Sequence, residues 1–324
     1  MMKDIPVIHA GGQSLALAYE DALIKLYVNG CRFKTQYDKP DDPESIDATM
    51  NITIEEPMTD PMIHKAFPGG IADLREYVME LQGVKDHWVK NLNDPEDTRW
   101  EYTYHGRFKN YGQWKERIDQ TDFSNMPTGN GLGNGTDASS KSFSEIQGHF
   151  CVDQIEAVIS KLVKQPFTRQ AQIITWMPNL DLDIFDPPCL QSIWYRMSEE
   201  DGEYYLNCNV RIRSNDAWGA YFMNSFGITM FNREMIADEI EKRSGKKVHL
   251  ARMNWQADSW HIYGKDIQQA EERLFSKVNG IGANFEDRIY NFYDPMIQEM
   301  YYEEDENILK KIEVETEKQR SQYS

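Results

Sequence analysis

The sequence predicts an α+β domain, one main mixed β-sheet flanked by helices. Two patterns and the composition carry this. Period-two alternation is clearest from Glu203 to Ile212, where Leu206, Cys208, Val210 and Ile212 share one face. Helical periodicity fills stretches before and between the strand-like segments. The composition, 40% hydrophobic and 12% aromatic over 324 residues, supports a substantial core and is unlike that of a disordered chain.

Ser14 to Asn29 reads as a helix with Leu15, Ala18, Ala22, Leu23 and Leu26 on one face and Gly30 as its stop. Residues 33–50 are polar and acidic, hold Pro40 and Pro43, and read as a loop; Met50 to Ile54 reads as a strand. A second helix runs from Ile71 to Gln82, with Ile71, Leu74, Val78 and Leu81 inward and Gly83 after it. Residues 126–141 are rich in Gly, Asn and Ser and read as a flexible loop; without a leading strand or a GK[ST] ending they are not a phosphate cradle. Val152 to Lys164 reads as an amphipathic helix lined by Ile155, Val158, Ile159 and Leu162.

Ala171 to Trp176, Leu190 to Met197 and Glu203 to Ile212 read as strands. Trp218 to Arg243 is a long helical stretch closed by Gly245, Val248 to Tyr263 holds one or two strands, and Lys265 to Val278 is helical. Residues 1–302 are expected to form a single domain, and residues 303–324 a charged, helical tail.

The formal net charge is −18. That balance argues against general nucleic-acid binding, which needs basic patches, but a few local arginines suffice for one phosphate. No apolar run is long enough for a membrane span, and MMKDIPVIHAGG lacks a signal-peptide core, so a cytoplasmic protein is expected. Cys31, Cys151, Cys189 and Cys208 form no CxxC pair and no zinc spacing, so no metal is expected.

Four features are candidates for chemistry. Cys189 follows Pro187-Pro188 at a strand entry; a lone cysteine is usually a small buried hydrophobe, and reactivity requires a nearby cation or donor. The run Arg213-Ser214-Asn215-Asp216 sits where a strand gives way to a helix, a junction whose groups converge on anions, though a surface turn reads the same way. His261 and Tyr263 point to one face of a strand end, suited either to a ligand hydroxyl or to solvent. Glu76 lies on an amphipathic helix, where a glutamate usually faces solvent.

The joint order of these features is more specific than any one of them. Pro188-Cys189, Arg213-Ser214-Asn215-Asp216, Asn224 eight positions after Asp216, and His261-Ile262-Tyr263 resemble the thymidylate synthase family, most closely its divergent archaeal-type branch. Thr168-Arg169, Tyr102-Thr103-Tyr104-His105-Gly106-Arg107 and Arg75-Glu76 through Gln82-Gly83 extend the resemblance over about residues 70 to 264. It implies a thymidylate-synthase-like catalytic domain whose sheet face forms a dimer interface. Cys189 would add to carbon 6 of dUMP, so that carbon 5 takes a one-carbon unit from 5,10-methylenetetrahydrofolate or a related reduced pterin.

In that reading Arg213 binds the phosphate and lowers the Cys189 pKa, and Ser214 adds a phosphate hydrogen bond. Asn215 is counted with them on the substrate side, and Arg169 reaches the phosphate of a neighbouring subunit in a homodimer. Asp216 would bond the base or folate region and Asn224 the uracil edge, while His261 and Tyr263 would hold the ribose 3′-hydroxyl. Glu76 would relay protons and Tyr104 line the pocket near Cys189. Asn224 favours uracil, since related cytosine-specific hydroxymethylases carry Asp there. Leu190 stands where bacterial-type enzymes have His, Gln170 replaces a second Arg, and Lys34 and Lys39 are the candidates for an N-terminal phosphate loop. Three functions stay open: methylation of dUMP to dTMP, hydroxymethylation with water quenching the same intermediate, and a non-catalytic nucleotide- or RNA-binding role.

Overall fold

The computed structural model describes residues 4–90, 97, 99–112, 152–278, 280 and 282–322; the loop expected at 126–141 lies outside them. Strand β1 (Val7–Gly12) leads into helix α1 (Leu15–Asn29), where the Ser14 hydroxyl caps the first turn by accepting from the Leu17 N–H. The helix buries the apolar face its periodicity predicts. Strands β2 (Cys31–Phe33) and β3 (Ser45–Ile54) follow, so the expected loop ends sooner than its polarity suggested. The reason is that the polar residues at the start of β3 have partners: Ser45 donates to Asp38 at 2.8 Å, and Asp47 accepts from Ser259 at 2.8 Å.

Next come β4 (Ile63–His64), α2 (Ile71–Leu81), α3 (Tyr104–Lys109) and α4 (Gln154–Lys164), the last capped by Asp153. Strand β5 (Ala171–Ile174) and the single turn α5 (Pro178–Asp181) precede β6 (Leu190–Glu200) and β7 (Glu203–Asp216). Helix α6 (Tyr221–Phe231) continues through a π-helical turn into α7 (Asp238–Ser244), which ends at Gly245 in the left-handed region. Strand β8 (Val248–Ile262) is one long strand. Helix α8 (Ile267–Ala270), β9 (Ile289–Tyr290) and α9 (Pro295–Gln322) complete the order; the charged tail is the later part of α9.

Among the described residues seven strands form one mixed sheet in the order β1-β3-β8-β7-β6-β5, with β2 also on β3. The β1–β3 and β7–β8 pairs are parallel and the others antiparallel. Parallel pairing of β7 and β8 requires a crossover, which α6 and α7 supply. One sheet face carries Met50, Ile52 and Ile54 of β3, Leu206, Cys208, Val210 and Ile212 of β7, and Met253, Trp255 and Ala257 of β8, all buried. Helix α2 packs on α6 and α9 packs on α2.

Candidate active site

The site forms where β6, β7 and β8 meet α2, α3 and α6. Cys189 stands one residue before β6, and its carbonyl accepts from the Arg213 N–H at 2.9 Å, which ties it to the last turn of β7. The Arg213 guanidinium reaches back to the same segment: Nε donates to the Pro188 carbonyl at 3.1 Å and Nη2 to the Pro187 carbonyl at 2.5 Å. From α3 the Tyr104 hydroxyl accepts from the Leu190 N–H at 3.2 Å. These bonds fix the backbone on both sides of the sulfur.

The Arg213 charge acts on the Cys189 thiol in the expected direction, but burial outweighs it. Burial raises the Cys189 thiol above its ordinary value; the Arg213 charge opposes this and Asp186 adds to it. Desolvation outweighs one half-buried guanidinium that already serves two carbonyls. Burial likewise pushes the Tyr104 hydroxyl up to about 12.

Asn224, on α6, has both amide ends engaged. Its Oδ1 accepts from Asn215 Nδ2 at 3.1 Å, and its Nδ2 donates to the Tyr77 hydroxyl at 2.8 Å. Asn215 is buried behind it and accepts from Trp255 Nε1 at 3.1 Å. Tyr77 lies within electrostatic reach of Cys189 and Tyr104. Its ring packs against Gly227, where a Cβ would come within 2.5 Å of the ring, so a glycine is needed on this face of α6.

His261 and Tyr263 meet edge to face with ring centroids 4.6 Å apart. Ser259 donates to Asp47, so at 3.1 Å its oxygen can only accept from His261 Nδ1. Burial lowers the His261 pKa, which keeps the ring neutral and its buried Nε2 an unpartnered acceptor. Asp216 Oδ1 accepts from the N–H groups of Trp218 at 3.0 Å and Gly219 at 2.8 Å, closing the turn from β7 into α6. Burial raises its pKa. Ser214 is half-buried, in register with Ser259 of β8.

Glu76 and Arg169 stand apart from this cluster. Glu76 accepts from Lys85 at 2.8 Å and Lys311 at 2.7 Å, and against the opposing pull of burial these bonds lower its pKa. Arg169 is exposed before β5, and its carbonyl accepts from Trp194 Nε1 at 3.0 Å. Sequence reasoning missed Glu80, which follows Glu76 by one helical turn and so shares its face. Burial raises its pKa, and it lines both the cleft of about 360 Å³ that holds Glu76 and Tyr77 and a second of about 440 Å³ that holds Tyr102, Tyr104 and Asp186. Its i,i+4 spacing from Glu76 was visible in the sequence. Tyr77 and Trp255 had no comparable signal. A hollow of about 480 Å³ near Lys65 lies elsewhere; there Arg288 pairs with Glu20 and Arg273 serves backbone carbonyls.

The sequence profile of the family described as Thymidylate synthase matches residues 73–310, most of the chain and the site residues from Glu76 to Tyr263. The chain belongs to the thymidylate synthase family. A protein of Methanosarcina barkeri named "Putative thymidylate synthase" is 32% identical over 123 residues, 38% of this chain and 52% of that protein. The chain thus spans about half the length of such relatives. One of the same name from Methanocaldococcus jannaschii is 25% identical over 258 residues, covering 77% and 88%. In fold the chain is similar to the solved thermostable thymidylate synthase A of Bacillus subtilis, with a TM-score of 0.53 and 15% identity over 81% of this chain and 84% of that one. Among the described residues no helix is long and apolar enough to cross a membrane, and no cluster of three His, Cys, Asp or Glu is placed to hold a metal.

Proposed function

We propose that the chain transfers a one-carbon unit from methylenetetrahydrofolate to carbon 5 of dUMP through Cys189 and yields dTMP. The supporting observation is that Tyr77 joins the two halves such chemistry needs: its hydroxyl meets Asn224 and lies within electrostatic reach of Cys189. A nucleophile and a base-reading amide thus share one tyrosine as neighbour. Cys189 adds to carbon 6, which makes carbon 5 nucleophilic and divides one hard step into easier ones. Because burial holds the thiol up, its proton must pass to a base as the sulfur bonds to carbon 6; Arg213 Nη1, without a protein partner among the described residues, meets the phosphate.

Neutral His261 accepts the ribose hydroxyl at Nε2, with Tyr263 beside it. Glu76 and Glu80 on α2 and Lys85 just beyond it form a chain of proton-bearing groups, with Lys85 donating to both carboxylates. The proposal includes a homodimer in which Arg169, exposed and free to reach a neighbour, completes the partner's phosphate site, and a cytoplasmic setting.

The test is product mass after incubation with dUMP and methylenetetrahydrofolate. A methyl product with dihydrofolate is expected; a hydroxymethyl product with tetrahydrofolate would replace methylation by hydroxymethylation. Trapping with 5-fluoro-dUMP plus folate should give an adduct in the wild type and none in Cys189→Ser. An adduct in both would overturn the role of Cys189.

A further inference from the structure

The bonds Trp255 Nε1 to Asn215 Oδ1, Asn215 Nδ2 to Asn224 Oδ1, and Asn224 Nδ2 to Tyr77 Oη form a directed chain. Direction matters because a primary amide can be turned over at little steric cost, which exchanges its donor and acceptor. Here the first member cannot turn over. An indole N–H only donates, and Trp255 is 1% exposed in the core, so Asn215 must present its oxygen to Trp255 and its NH₂ to Asn224. Asn224 must then present its oxygen to Asn215. Tyr77 imposes no polarity, because a phenol hydroxyl can donate or accept; it fixes position only.

We propose that Trp255 and Asn215 are positioning residues that lock the Asn224 amide in the orientation that reads uracil and rejects cytosine. This rests on the reading of the site as a pyrimidine-nucleotide site. Each atom of the locked amide keeps one further valence: a second lone pair on Oδ1 and a second N–H on Nδ2. Uracil offers an N3–H donor and an O4 acceptor side by side, which these complete. Cytosine offers an N3 acceptor and an amino donor, so it needs the amide reversed. Reversal would place the NH₂ groups of Asn224 and Asn215 against each other in a buried site. If Asn215 also reversed, its NH₂ would meet the Trp255 N–H. One such buried donor clash weakens cytosine binding by about tenfold or more.

The experiment measures dissociation constants of dUMP and dCMP by titration calorimetry on the full chain and on Asn215→Asp, Trp255→Phe and Tyr77→Phe, each checked for folding by near-UV circular dichroism. Asp at 215 has the shape of Asn but accepts at both oxygens. It still takes the Trp255 N–H and now requires Asn224 to donate, which turns the Asn224 amide over while the Tyr77 hydroxyl donates to it. The dUMP over dCMP ratio is expected to fall by about tenfold or more and move toward dCMP. Trp255→Phe frees both amides to reverse together, and the ratio falls by about fivefold. Tyr77→Phe weakens both nucleotides alike and leaves the ratio as it was.

A wild-type ratio in folded Asn215→Asp or in folded Trp255→Phe overturns the inference, since loss of packing alone would weaken both nucleotides together. If the wild type neither binds dUMP nor forms the 5-fluoro-dUMP adduct, the functional reading itself fails and the inference falls with it, a result distinguishable from an unchanged ratio.

Discussion

Arg107 and Asp181 form a buried fork that joins α3, which carries Tyr104, to the segment leading to Cys189. The guanidinium donates to Asp181 at 2.7 and 3.2 Å and to the Thr175 carbonyl at 3.2 Å, while Asp181 also accepts from the Met177 N–H at 2.6 Å. Arg107 is 8% exposed and Asp181 1%. Arg107→Met strands a buried carboxylate and should cost about 3–5 kcal/mol, and Asp181→Leu should cost about the same by stranding the guanidinium. In the double variant neither charge is left behind. What remains is one carbonyl without its donor and one N–H without its acceptor, about 1 kcal/mol each. The double variant should therefore lose roughly 2–3 kcal/mol, far below the sum of the singles. Urea denaturation measures all four proteins, and each single change should lower the thermal midpoint by about 10 °C. Losses that simply add would refute the buried-pair reasoning.

Glu20 and His64 make stability depend on acid. Burial opposes it, yet bonds from His64 and Arg288 hold the Glu20 carboxyl at about 2, and burial lowers the His64 pKa. Both groups bind fewer protons folded than unfolded, so their contribution is whole above about pH 6.5. It declines as pH falls, first through His64 and then between about pH 4.5 and 2 through Glu20; urea midpoints against pH should show this, with Glu20→Gln flattening the lower part. Alkylation of Cys189 by iodoacetamide in the ligand-free protein should have its midpoint above pH 9.0, and Arg213→Gln should move it higher still because the one opposing charge is gone. An unchanged midpoint in that variant would remove Arg213 from the thiol's electrostatics. Ile312→Ala, emptying a buried place against Met79 and Trp88, should cost about 2–4 kcal/mol in the same denaturation assay, and no loss would mean α9 is only loosely seated.

The helices and central strands were legible because each writes its period into a continuous stretch. Leu206 to Ile212 alternates, and Leu15 to Leu26 keeps one face. Strand β1 went unread: Val7 to Gly12 is short and ends in two glycines, and it exists through parallel pairing with β3, a contact no local pattern encodes. The first half of β3 was hidden by Ser45 and Asp47, polar residues made tolerable by partners far along the chain. The same holds in the site. Cys189, Arg213 and Asn224 stood out by order, but Tyr77 meets Asn224 across 147 positions and Trp255 meets Asn215 across 40, so neither contact is visible before folding. Glu76 read locally as a solvent-facing glutamate, and its partners Lys85 and Lys311 both lie beyond the end of α2.

Those lysines carry a consequence for the order of assembly. Lys85 lies nine positions from Glu76 and Lys311 lies 235 away. As the chain leaves the ribosome, α2 meets its near partner early and its distant one only after α9 has been made. Contacts of such separation form late and slowly. A chain released before α9 would hold the cysteine, the arginine and the amide relay, yet leave one oxygen of Glu76 open to water. Such a premature product would keep the chain of Glu76, Lys85 and Glu80 but lack the second cation on Glu76, so the charge of that carboxylate is set only once α9 is seated.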